Sequence, residues 1–121
     1  MAAKNINKEK IAQNPEMINP TNALEYSQRG WVYYNQKEYD LAREDFLTAL
    51  KDDQNNIDTK YALALTLKLM GKKSEAIQHF QSLLASLDQV DDTVRLAMIK
   101  RLTLGHIHQL TQDDWNLGVN E

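Results

Sequence analysis

Between Ala23 and Asn56 the chain carries a pattern of small and large apolar residues that recurs, without a gap, 34 residues further on. Gly30 is answered by Ala64, Tyr33 by Leu67, Ala42 by Ala76, Phe46 by Phe80, Ala49 by Leu83 and Leu50 by Leu84. A unit of this length has room for two helices and two short turns. Chains built from such units stack them in series instead of wrapping one central core. Two antiparallel helices approach to about 8–10 Å only where one presents small residues opposite large ones on the other. Gly30 and Ala64 are those small residues on the first helix of each pair, and Ala42 and Ala76 on the second. A leucine at Gly30 or Ala42 is therefore expected to overpack the pair by roughly 1–3 kcal/mol.

Capping residues divide the repeat into helices. Asn22 predicts a helix start after Pro20, with Glu25 three positions on to close a capping box, and the helix runs to about Gln36. A turn over 36–39 leads to Asp40, which reads as the cap of a second helix ending near Asp53, and Ser74 takes the same place in the next unit. Asn55 and Asn56 break and restart the chain for a helix from Ile57 to about Met70, closed by Gly71, and a fourth follows from Ser74 to Leu87. Beyond Asp88 the period slips. Asp91, Asp92 and Thr93 offer caps for a fifth helix from Thr93 to about Leu110. If Leu104 and Gly105 play the part of Leu63 and Ala64, the offset is 41, so seven residues extend the front of that helix. Asp113, Asp114 and Trp115 then suggest a turn into a short sixth helix, leaving a third unit that either caps the stack or is completed by another chain.

Composition bounds the rest. A net charge of -3 with scattered Lys and Arg gives no basic field for nucleic acid. The chain has no cysteine, so it holds no disulfide and no thiolate metal site. No stretch is apolar enough for a membrane span, and the start MAAKNINKEK lacks the apolar core of a secretion signal, so a cytoplasmic address is expected. Residues 1–20, with Pro15, Pro20 and isolated Ile11, Met17 and Ile18, read as a flexible leader that can also fold back onto the repeats.

The spacing of Tyr26, Gly30, Tyr33, Ala42, Phe46 and Ala49 resembles a tetratricopeptide repeat. Residues 57–90 keep Leu63, Ala64, Leu67, Gly71, Ala76 and Phe80 of the same pattern. Lys60 and Arg29 stand where the family has bulky apolar residues, and Gln54 and Asp88 where it has proline, departures expected to weaken local packing. The resemblance implies an all-α solenoid of helical hairpins: repeat one at 23–56, repeat two at 57–90 and a partial or capping third at 91–121. It also implies that the first helix of each pair lines an inner groove. The groove positions are Leu24, Ser27, Trp31, Tyr34 and Asn35 in repeat one and Asp58, Tyr61, Leu65, Lys68 and Leu69 in repeat two. Apolar and aromatic residues are in excess there, which suits a helix or extended peptide of a partner protein. The same rings can instead fill space between neighbouring first helices. The family's carboxylate clamp needs Lys and Asn where this chain has Ser27, Trp31 and Ala62, so a charged terminus is not the expected ligand.

Nothing in the sequence predicts catalysis. His106 and His108 are two apart and project about 200° from one another on a helix, His79 is alone, and the pairs Asp52/Asp53, Asp91/Asp92 and Asp113/Asp114 sit at helix ends or turns. The expectation is a non-enzymatic adaptor or scaffold without cofactor or metal that binds a protein partner in its groove. The alternative is self-assembly, as a homo-oligomer or a subunit of a larger complex, through the incomplete third repeat.

Overall fold

The computed structural model describes residues 18–88 and 93–120, with side chains described as far as Gln112. Ile11 and Met17, the Asp91 and Asp92 caps and the Trp115 side chain lie outside the described residues. Five helices follow one another: α1 (Ala23–Asn35), α2 (Tyr39–Asp52), α3 (Ile57–Leu69), α4 (Lys73–Leu87) and α5 (Val94–Asn120). The fold is an all-α array of helical hairpins. α1 packs on α2 and α3 on α4; α2 then packs on α3 and α4 on α5.

The starts of α1, α3 and α5 are where the caps put them. Asn22 and Asn56 accept hydrogen bonds from the backbone N–H groups of Glu25 and Thr59, and the Thr93 hydroxyl accepts from Leu96. Glu25 reaches back one residue further than a capping box requires, accepting from the backbone and hydroxyl of Thr21. These bonds hold its carboxyl below the usual range. Asp40 and Ser74 do not cap. α2 starts at Glu38 and α4 at Lys72, neither of which makes a side-chain cap bond. The reason is the turn itself. Glu38 N–H donates to Tyr33 and Lys37 N–H to Tyr34, and 34 residues on Lys72 donates to Leu67 and Gly71 to Lys68. In both hairpins the residue that closes the first helix is therefore already the entry to the second. The left-handed position of this turn is held by Lys37 at φ 64° in the first hairpin and by Gly71 at φ 78° in the second.

Small residues set the packing. Gly30 is buried, and a Cβ built on it would lie 2.6 Å from Cε1 of the fully buried Phe46, so only glycine lets this ring seat against α1. Ala64 and Phe80 hold the corresponding places in the second hairpin, and both are fully buried in the same core cluster. A second cluster of Leu83, Leu87 and Leu96 carries the core across to α5.

Two expectations need correction. Arg29 does not loosen the first hairpin: its Nε and Nη2 donate to the two oxygens of buried Asp45, each at 2.8 Å. Its guanidinium also lies 5.6 and 5.8 Å from the ring centres of Tyr26 and Tyr33. The bond to Asp45 raises the already high pKa of Arg29. Lys60 likewise finds a partner, donating to the hydroxyl of Ser86 at 3.0 Å. The turn expected at Asp113–Trp115 is absent, since α5 runs as one helix of 27 residues to Asn120. At the offset of 41 the turn position of Gly71 falls on Gln112, so the chain lacks there the glycine that closes α3.

Candidate functional site

α1, α3 and α5 lie side by side along one side of the array. Ser27 of α1 shares a hydroxyl hydrogen bond of 2.7 Å with Thr59 of α3. From α3 to α5 the links are polar: Asp58 with Arg95, Tyr61 with His106, and Lys68 with His106 and Gln109. Between α1 and α3 runs a groove of about 320 Å³, walled by Leu24, Ser27, Gln28 and Trp31 on one side and Asn56, Asp58, Thr59 and Tyr61 on the other. The Ser27–Thr59 pair bridges the two walls.

Each wall has an apolar anchor with a fixed backing. The Trp31 indole meets Phe46 edge to face at 5.6 Å and Tyr34 at 5.1 Å, so it is half-buried and locked by the core. Tyr61 lies 6.1 Å from Phe80 and 5.8 Å from the His106 ring. Leu24 is different: at 65% exposed, it has no core function to account for it. Asp58 and Gln28 supply polar groups at the rim.

The structure thus brings together Leu24, Ser27, Trp31, Asp58 and Tyr61 and separates the other sequence candidates from them. Tyr34 turns toward Trp31 and Tyr39, and burial raises its phenol pKa, as it does that of Tyr61. Leu65 packs on the core cluster. Lys68 is held by α5, while Asn35 and Leu69 are exposed near the ends of their helices. Gln28, Asn56 and Thr59 were missed. Gln28 is four residues from Leu24, a spacing that could have revealed it, whereas Asn56 and Thr59 read in sequence only as a cap and its donor.

His106 links α3 to α5. Its ring stacks on Phe80 at 5.0 Å with 7° between planes. Lys68 Nζ can only donate, so Nδ1 accepts at 2.8 Å, which puts the proton on Nε2, where it is donated to the Tyr61 phenol oxygen at 2.9 Å. Burial and the neighbouring Lys68 charge both lower the His106 pKa, so the ring is neutral at pH 7. It is a structural link with both nitrogens engaged. A larger depression of about 590 Å³ lies along α2, lined by Leu47, Leu50 and polar residues and carrying no ring among its described residues.

A family model described as tetratricopeptide repeat matches residues 23–56. The chain is a tetratricopeptide repeat protein. The matched segment is α1, α2 and their turns, the hairpin in which Gly30 receives Phe46. A repeat of this kind is a protein–protein interaction module. A search among curated proteins finds no match to the chain. No helix among the described residues is long and apolar enough to cross a membrane.

Proposed function

We propose that the protein is a cytoplasmic, non-enzymatic adaptor that binds an apolar segment of a partner protein in the groove between α1 and α3. The observation that supports this reading is the pairing of exposed Leu24 with two rings, Trp31 and Tyr61, whose orientations are fixed from behind by Phe46 and Phe80. Rigid aromatic anchors bind with little loss of side-chain entropy, and the polar rim of Asp58, Gln28 and Asn56 sets orientation. Covering about 200 Å² of apolar surface would contribute roughly 5 kcal/mol before ordering costs, which suits a micromolar partner.

Trp31 and Tyr61 also belong to the stack, so their removal confounds binding with stability. Leu24→Glu avoids this, because the side chain is exposed. Affinity capture with the full chain and with Leu24→Glu, followed by mass spectrometry, is expected to show a set of proteins retained by the first and lost from the second at unchanged helical content. Identical captures would place the binding surface elsewhere.

A further inference from the structure

α5 repeats the first-helix pattern, but with no second helix against it. At the offset of 41, Arg101, Leu104, Gly105 and His108 correspond to Lys60, Leu63, Ala64 and Leu67 of α3, the face that receives α4. All four are exposed on α5. Around them Val94 and Met98 are 83% and 60% exposed, an apolar stripe at four-residue spacing. The opposite face, through Leu96, Thr103 and Leu110, is the one buried against the array. Gly105 makes the point most directly. A Cβ at Gly30 would strike Phe46, while one at Gly105 would meet nothing within 4 Å. The chain's own continuation does not cover this face, because α5 proceeds as one helix to Asn120 and carries the backbone away along its axis.

We propose that this face of α5 is the docking site for an acidic amphipathic helix of another protein, one that presents an aromatic side chain to Gly105 between flanking alanines and so completes the third hairpin in trans. The chain itself shows the shape of such an occupant. α2 lies on the glycine of α1 through Phe46, with the fully or nearly fully buried Ala42 and Ala49 on either side. The charge follows from α5. Residues 93–112 contain no Asp or Glu but do contain Arg95, Lys100, Arg101, His106 and His108. Arg95 and Lys100 are paired with Asp58 and Asp88, whereas Arg101 has no ion-pair partner among the described residues. The first hairpin shows how a cation on this kind of face is met, since Arg29 of α1 is matched by Asp45 of α2. A second copy of α5 would instead bring basic residues against basic residues.

The probe is a fluorescein-labelled peptide with the sequence of residues 39–53, which carries Phe46, Ala42 and Ala49 with five acidic and two basic residues. Fluorescence anisotropy with the full chain is expected to show saturation below about 1 mM. Gly105→Leu, which fills the site without touching the core, is expected to weaken binding roughly tenfold or more. Arg101→Glu is expected to weaken it less. A peptide with alanine in place of Phe46 should fail, while Leu24→Glu should bind the probe as the unmodified chain does, separating this face from the groove. Binding unaffected by Gly105→Leu would mean that the peptide displaces α2 or enters the groove, and would overturn the proposal. A chain that is dimeric by light scattering and made monomeric by Gly105→Leu would have a second copy as its occupant. A chain that binds no peptide but melts at lower temperature with Gly105→Leu would cover this face itself. Either result overturns the proposal.

Discussion

In the first hairpin Phe46 stands against a glycine, and Arg29 faces Asp45 through a bidentate ion pair; 34 residues on, Phe80 stands with Ala64, and the pair becomes buried Leu63 and exposed His79. The turns differ in the same way, with Lys37 in a left-handed conformation that Gly71 adopts in the second. Backbone and hydrogen bonds are nonetheless the same in both. Stacking thus asks each position for a volume and a surface, and these can be met by hydrocarbon or by a satisfied ion pair. The second hairpin uses apolar residues of high helix propensity, while the first uses rings, an ion pair and a constrained turn.

Several substitutions would break or sharpen this contrast. The largest effect is expected from Phe46→Ala, which leaves a cavity where no other side chain fits, at roughly 3–5 kcal/mol by urea unfolding. Asp45→Ala should cost about 2 kcal/mol, less than for a fully enclosed pair because the Arg29 side chain is 25% exposed and can rehydrate. Arg29→Leu with Asp45→His, which copies the second hairpin into the first, should recover most of that loss; no recovery would mean that the two hairpins are not interchangeable. Gly30→Ala should cost about 1–2 kcal/mol despite the better helix propensity of alanine, and should cost less when Phe46 is also leucine. Lys37→Gly should stabilise by about 0.5–1 kcal/mol by removing left-handed strain, and Gly71→Lys should do the reverse.

The smallest effect concerns His106. Burial and Lys68 hold its folded pKa below the unfolded value of 6.5, so folding favours the neutral ring. Its contribution is complete above pH 6.5 and is lost as the pH falls from there through the depressed folded value. His106→Gln should flatten that stretch of the stability profile, and a profile unchanged by the substitution would count against the link through Lys68 and Tyr61.

The fold was legible because stacking writes its period into residue size: Gly30, Ala64, Phe46 and Phe80 suffice to set the register, and Asn22, Asn56 and Gly71 set three helix ends. Asp40 and Ser74 misled because a cap motif assumes a chain entering a helix from a loop, whereas here each second helix begins inside the closing turn of the first. The Arg29–Asp45 pair could not be read because nothing in a sequence shows that two residues 16 apart face one another until the hairpin is built. The groove was half legible. Its first-helix positions followed from the family resemblance, but which of them stay open depends on α5, and the cover that His106 and Gln109 provide over Tyr61 and Lys68 had no local signature.

The way α5 is fastened has a consequence for the whole object. Apart from the leucines shared with α4, its attachments are charges and polar groups near solvent: Asp58 to Arg95, Asp88 to Lys100, and Lys68 to His106 and Gln109. Such contacts weaken with ionic strength and with acid, while glycine-to-ring contacts do not. The molecule therefore has a stiff body and an adjustable end, and the angle at which its last helix leaves the stack is set partly by the surrounding medium.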